Sequence, residues 1–274
     1  MKEQKKKRRI EGMDALRGFA ILGVVLYHVM PGRFPGGFLG VNMFLVLSGY
    51  LIYKTSVWDL EHGEYAAGRF YKKRCIRIYP PLLIMIVAVW GILAVSMPEV
   101  AKGRGGEVLS IVGGYNNFWQ VMTNMDYFRS GLESPFIHLW YMAILMQFDL
   151  VFPFIFLLLK KIGDKINRII PVTITLVISL FGGAYFYYSG VNNGILFTYY
   201  NTFTRIFALF FGITLGFIYH YYGNLVSSKI KNPILKKCIF YTYLVILLLL
   251  FIFINPSSKY IYLGMIITTL LSVR

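Results

Sequence analysis

Met13-Asp-Ala-Leu-Arg17-Gly-Phe-Ala-Ile-Leu-Gly-Val-Val-Leu-Tyr-His28-Val-Met30 is a run of eighteen residues in which only Asp14, Arg17 and His28 can carry charge near neutral pH. A helix rises about 1.5 Å per residue and the hydrocarbon core of a bilayer is about 30 Å thick, so this run reads as a first membrane span. Seven more windows of the same kind follow, at 37–53, 80–97, 137–159, 169–189, 204–222, 238–254 and 260–274. The composition agrees with that reading. Of 274 residues, 57% are hydrophobic, 18% aromatic and only 15% charged, with a mean hydropathy of +0.60. A soluble domain carries about 25% charge. A water-soluble enzyme, a disordered chain and a disulfide scaffold are excluded. The expected fold is all-α, a polytopic transmembrane helical bundle of about eight spans in one domain over 1–274.

The net charge of +16 would suggest nucleic acid in a soluble chain. Here the basic residues gather at the ends of apolar windows, where they set topology, and no nucleic-acid partner is expected. With the window 107–123 kept from crossing, segments 1–12, 54–79, 160–168 and 223–237 share one side and carry twenty Lys and Arg. The other side carries five, Arg33, Lys102, Arg104, Arg129 and Lys259. Letting 107–123 cross lowers the split to fourteen against eleven. The bias puts the N-terminus in the cytoplasm and makes 98–136 one outer segment. That segment is expected to hold a re-entrant or surface helix at 107–123, because Gly113, Gly114, Asn116, Asn117 and Gln120 break its apolar run. The basic stretch 1–9 is followed by no small-residue cleavage site, so the first window is read as an uncleaved span. Cys75 and Cys238 both fall on the cytoplasmic side, where no disulfide is expected.

An ionisable side chain inside a span is costly unless it faces a cavity or a partner, so each marks a candidate site. Arg17 and His28 are eleven residues apart. At about 100° per residue they return to within about 20° of one azimuth, roughly 16 Å apart along the axis. Asp14 lies one turn before Arg17 and can pair with it. The first span thus presents a stripe with a cation at its inner end and a titratable imidazole towards its outer end. The plainer alternative is an Arg17 that snorkels to lipid phosphate and a His28 at the interface. In the fourth window His138 and Asp149 repeat the eleven-residue spacing, with Trp140 and Gln147 on the opposite face. Tyr141 then lies about 60° from His138. Trp140 and Tyr141 also fit an ordinary aromatic belt. Arg205, at the outer end of the sixth window, is either an interfacial anchor or a functional cation.

A third feature is Arg69-Phe-Tyr-Lys-Lys-Arg74-Cys-Ile-Arg77-Ile-Tyr-Pro80, ahead of a helix whose first turn is marked by Pro80 and Pro81. Arg74 and Arg77 are one helical turn apart and can grip a phosphate together. Positive-inside flanking with anionic lipid contact is the other reading.

These stretches resemble the acyltransferase-3 family of integral-membrane O-acyltransferases. Ile10-Glu-Gly-Met-Asp14-Ala-Leu-Arg17-Gly-Phe-Ala-Ile-Leu22, closing with Tyr27-His28, is similar to the family's first helix, an Arg followed ten residues later by a His. Gly37-Phe-Leu-Gly-Val-Asn-Met-Phe44 with Leu47-Ser-Gly-Tyr-Leu-Ile52 is similar to its second helix. Arg74, Arg77, Ile78 and Pro80 match its Arg-x-x-Arg-Ile-x-Pro element, and His138-Leu-Trp-Tyr141 with Gln147-Phe148 matches the next marker. Thr202-Phe-Thr-Arg205 resembles an element of the branch that acetylates cell-wall peptidoglycan. Asp149 and Met146 depart from the pattern, which has an aromatic and an acidic residue at those places. The family also has more spans than this chain provides, so further C-terminal spans are expected.

The resemblance implies a multi-pass protein of the cell membrane, in contact with lipid. It implies transfer of an acyl group, expected to be acetyl, from cytoplasmic acetyl-CoA to a hydroxyl of an extracytoplasmic cell-surface glycan, with no metal. Arg74 and Arg77 are then expected to hold the coenzyme's phosphates, and Arg17 a further phosphate or Asp14. A hydroxyl attacking a thioester needs a base with a pKa near neutrality, which imidazole offers. His28 is the expected catalytic group, as that base or as a transient acyl carrier, and Asp14, paired with Arg17 at the other end of the helix, is a further catalytic candidate. His138 or Arg205 is expected to stabilise the oxyanion, and Arg205, Trp140, Tyr141 and Ser48 are the expected substrate-side residues. Ser48 is either a relay for a covalent transfer or a helix-packing residue beside Gly49. The alternative is a transporter of a lipid-linked or small anionic substrate, with Asp14, Arg17 and His28 as a proton relay, although no inverted repeat supports it.

Overall fold

The computed structural model describes residues 13–125, 134–227, 233–256 and 260–272, and every regular element among them is helical. The order is α1 (Met13–Val29), a 3-10 turn (Gly37–Leu39), α2 (Gly40–Glu61), α3 (Ala67–Ser96), α4 (Pro98–Ala101), α5 (Gly105–Val112) and α6 (Asn116–Met122). A second 3-10 turn (Ile137–Leu139) leads into α7 (Trp140–Lys165), α8 (Ile169–Tyr200), α9 (Thr202–Ser227), α10 (Pro233–Phe253) and α11 (Ile261–Leu271). The basic stretch 1–9, Arg129 and Lys259 lie outside the described residues.

Among the described residues five helices are long and apolar enough to cross a membrane: Gly37–Glu61, Ala67–Ser96, Ile137–Lys165, Ile169–Tyr200 and Thr202–Gly223. The chain is a polytopic helical membrane protein. The other apolar windows are helical but shorter, with 17 residues in α1 and two further short apolar helices at Lys237–Phe253 and Ile261–Leu271. The window 107–123 forms α5 and α6, of 8 and 7 residues, and neither can cross. Gly114, at φ 72°, makes the left-handed turn between them.

Two boundaries differ most from the sequence reading. The helix expected to begin at Pro80 begins at Ala67, with Pro80 and Pro81 inside it. Each proline removes one backbone donor, which leaves the carbonyls of Ile76 and Arg77 without their helical partner, and a long apolar helix accommodates this without ending. Arg74 and Arg77 are therefore helical residues. The fifth window, expected to end at 189, runs on as α8 to Tyr200, with a non-helical kink at Gly194 (φ 80°, ψ 171°).

The chain divides into two units, one formed by Met1–Leu47 with Ile230–Arg274 and the other by Ser48–Lys229. In the first, α1 buries Leu16, Ala20, Gly23 and Tyr27, which form one stripe. The chain from Gly37 to Gly40 crosses this stripe at backbone contact. A Cβ at Gly37 would lie 2.0 Å from the Gly23 carbonyl oxygen, and one at Gly40 would lie 2.4 Å from that of Ala20. Small residues serve this purpose in membrane helices, where packing replaces the hydrophobic effect as the driving force. The Gly36 N–H donates to the Phe251 carbonyl at 2.8 Å, Phe19 stacks on Phe251, and the Asn42 amide donates to the Met265 carbonyl at 2.8 Å.

In the second unit, α8 and α9 pack as a hairpin against α7 and α6. Helix α2 meets α9 at Gly49, where a Cβ would lie 2.0 Å from the Leu209 carbonyl oxygen. Ser48, half-buried beside it, sits at this crossing. A ladder of rings, Phe70, Phe152, Phe156 and Tyr53, with centroids 5.6 to 5.8 Å apart, ties α3, α7 and α2 together. Cys75 and Cys238 are both free and exposed.

Candidate active site

Arg17 and His28 each follow a residue of the packed stripe, Leu16 and Tyr27, so they sit about 100° around α1 from it. Their shared azimuth places them beside the packed face. His28 is exposed in the last turn of α1, Arg17 is half-buried and Asp14 is exposed in the first turn. Tyr27 is buried against the edge of Phe38 and touches the imidazole edge-on, with ring centroids 5.2 Å apart. The imidazole is thus held next to a fixed ring, off the stripe that packs α1.

The proposed phosphate-gripping pair lies on α3 and is asymmetric. Arg77 is exposed. Arg74 is partly buried, with its Nε 3.6 Å from Asp149 Oδ1 and its guanidinium 5.4 Å from the Phe70 ring. The Tyr71 hydroxyl donates to the Leu150 carbonyl at 2.7 Å, docking the same part of α3 on α7. Asp149 is buried, and its Oδ2 has no hydrogen-bond partner among the described residues. The aspartate that departs from the family pattern is the counter-ion of Arg74. One arginine is therefore oriented in advance while the other is open to a ligand.

The fourth window requires a correction. His138 lies in the 3-10 turn ahead of α7, not on α7, so the 100° arithmetic that placed it on one face with Asp149 does not carry across the turn. His138 is exposed, whereas Trp140 is fully buried and Tyr141 half-buried. Trp140 packs against Tyr199 and Tyr200 at the end of α8, with centroids 4.7 and 5.6 Å away. Its indole N–H has no acceptor among the described residues. Arg205, also fully buried, lies 5.3 Å from the Trp140 ring, 5.0 Å from Phe186 and 4.3 Å from Tyr199. Its Nε donates to the Tyr199 carbonyl at 2.8 Å. The structure thus brings Arg205 and Trp140 together in an aromatic box, where the guanidinium brackets the corner between α8 and α9.

Below Trp140 on α7, the Gln147 amide donates to the Gly114 carbonyl and to Asn117 Oδ1, both at 2.8 Å, and its oxygen accepts from the Thr202 hydroxyl. The Asn117 amide donates to the Tyr200 carbonyl and to Thr202 Oγ1. The polar interruptions of 107–123 are therefore the residues that join α6 to α7 and to the start of α9.

The family model described as an acyltransferase domain matches residues 10–274. The chain belongs to the acyltransferase-3 family. Among the relatives of this acyltransferase-3 chain, the O-acetyltransferase OatA of Staphylococcus aureus (strain NCTC 8325 / PS 47) is 30% identical over 266 residues, which cover 94% of this chain and 42% of the relative. The OatA of strain MRSA252 gives the same figures. A protein of strain COL, named provisionally as an O-acetyltransferase, is 30% identical over 268 residues, covering 95% of this chain and 43% of its own length. The acyltransferase-3 chain thus spans less than half the length of these relatives. No solved structure matches it.

Sequence reasoning missed the buried carboxylate of Glu107 in this acyltransferase-3 chain. Glu107 is 2% exposed, and its carboxylate accepts from Arg104 Nη1 at 2.9 Å and from the Ser134 hydroxyl. The signal was an acid three residues after an arginine at the start of α5, but the sequence showed nothing of its burial. Among the described residues no cluster of three or more His, Cys, Asp or Glu could hold a metal ion.

Proposed function

We propose that this acyltransferase-3 chain carries the membrane-embedded part of an O-acetyltransferase that moves acetyl from cytoplasmic acetyl-CoA to a hydroxyl of a cell-surface glycan. The observation that carries the reading is the exposed imidazole of His28 beside the packed stripe of α1, within residues that match the family. In the transfer, a C–O bond to the acyl carbon forms, the C–S bond breaks, and the hydroxyl proton passes to a base as the thiolate leaves. His28 takes that proton. His138, exposed in its turn, is the group suited to the developing oxyanion. Arg205, enclosed by three rings, acts through Trp140 as a positioning residue. The names of the relatives, O-acetyltransferases, support the acetyl group.

Arg74 and Arg77 bind the coenzyme's phosphates from the cytoplasm, with Asp149 fixing Arg74 before the ligand arrives. Replacing both arginines with Ala is expected to raise the KM for acetyl-CoA by about 10²- to 10⁴-fold, since each charge-assisted contact contributes about 1.5–3 kcal/mol, with a smaller effect on kcat. An unchanged KM in steady-state assays of the purified protein removes the phosphate clamp from the proposal.

Mass spectrometry of cell-surface glycans from cells with and without the gene tests the whole reading. O-acetyl esters are expected only when the gene is present, and identical ester content in both strains overturns it. The same gene product in acetyl-CoA-loaded liposomes is expected to release free CoA. A transporter of a small anionic substrate leaves the thioester intact.

A further inference from the structure

A cleft of about 290 Å³ opens between the second half of α2 and α9, lined among others by Tyr53, Lys54, Trp58, Glu61, Tyr219 and His220. It shares no residue with the transfer chemistry above. Its floor exists because position 216 is glycine, since a Cβ there would fall 2.3 Å from the Tyr53 ring. That ring is further fixed by Phe217, 4.3 Å away, and by Phe156. Trp58 stacks on His62 with ring centroids 4.1 Å apart, which holds one wall.

The polar groups of the cleft are incompletely matched. Glu61 Oε1 lies 3.6 Å from His220 Nδ1, so these two face one another. Lys54, two turns earlier on α2, makes no ion pair or hydrogen bond among the described residues. The Tyr53 hydroxyl, on a side chain only 1% exposed, has no hydrogen-bond partner among them either. Lys54 stands at the cytoplasmic end of its span, and a half-buried cation there without a counter-ion attracts an anion. A buried hydroxyl without a partner costs about 1–3 kcal/mol. Both deficits are relieved by one ligand that brings an acceptor-rich anion.

We propose that this cleft binds the phosphate end of an anionic amphiphile, with the phosphate at Lys54 Nζ and the Tyr53 hydroxyl, and an apolar or aromatic body against Trp58 and Tyr219. The volume suits a headgroup or a single nucleotide, at the lower end of ordinary ligand sites of about 300–1,000 Å³. The phosphate can come from an anionic phospholipid or from a nucleotide-bearing coenzyme. Neither source depends on His28 being the transfer base.

The test uses the full chain in nanodiscs of phosphatidylcholine, titrated separately with phosphatidylglycerol and with coenzyme A, and followed by native mass spectrometry and thermal midpoint. One of the two is expected to bind and raise the midpoint. Lys54→Met, which keeps length and suits a span, is expected to weaken that binding by at least about tenfold, whereas Lys54→Arg retains it. Tyr53→Phe keeps the ring packing and is expected to weaken binding about threefold to tenfold, and it decides the matter if Lys54→Met does not fold. Loss of phosphatidylglycerol binding assigns the cleft to lipid, and loss of coenzyme A binding assigns it to the nucleotide. Binding of neither probe, or binding that is indifferent to both substitutions, overturns the proposal.

Discussion

His28→Ala is expected to lower acetyl transfer by about 10²- to 10⁴-fold, the range that a positioned general base contributes. Its folding should be nearly unchanged, because the imidazole is exposed and lies off the stripe of Leu16, Ala20, Gly23 and Tyr27 that packs α1. Substitutions at such positions usually alter stability by less than about 0.5 kcal/mol. The comparison therefore needs two readouts on the same preparation, glycan-dependent release of CoA and the thermal unfolding midpoint. Loss of turnover with an unchanged midpoint supports the assignment. Turnover close to wild type would falsify it, and an equal loss in both readouts would make His28 a structural residue. If His28 carries the acyl group covalently, a labelled acetyl group should remain on the wild-type protein and be missing from His28→Ala.

The largest stability effect is expected away from the transfer chemistry, at Arg104→Leu. Glu107 is almost wholly buried, and its carboxylate is held by Arg104 and by Ser134, while the Ser110 hydroxyl donates to its main-chain carbonyl at 2.6 Å. Removing the arginine leaves a buried carboxylate without its cation, which costs about 3–5 kcal/mol. Replacing Arg104 and Glu107 together with Leu should recover most of that loss, because the pair is then exchanged for apolar packing. Thermal unfolding of the purified single and double variants in detergent measures both values. A double variant as unstable as Arg104→Leu would show that the cost lies in lost packing, not in the stranded charge. The same residues also test the role of α5 and α6. Asn116 and Gln120 join this region to the Ile137 carbonyl immediately before His138, so loosening it should reduce transfer as well as stability.

The sequence showed this cluster only as interruptions of an apolar window. Gly113, Gly114, Asn116, Asn117 and Gln120 were enough to keep 107–123 from crossing, but not to show where their hydrogen bonds go. Those partners lie on distant segments, the Ile137 and Tyr200 carbonyls, Gln147 and Thr202. The azimuth arithmetic applies to Arg17 and His28, which stand on one continuous helix. It does not carry to His138, because that residue lies in a 3-10 turn ahead of α7. The proline rule failed at Pro80 and Pro81 because the helix was already established at Ala67.

Apolar length alone determined that the chain is a set of helices across a membrane, since backbone groups in hydrocarbon must be satisfied within their own segment. Residue order alone also carried the family, through motifs that run from the first helix to the fourth window. Only the tertiary structure decided which faces meet. Helices apolar on all sides have no hydrophobic stripe to point them inward, so packing at Gly37, Gly40 and Gly49 sets their contacts. The pairing of Arg74 with Asp149, the box around Arg205 and the cleft at Lys54 all follow from that packing, and none can be read along a single segment.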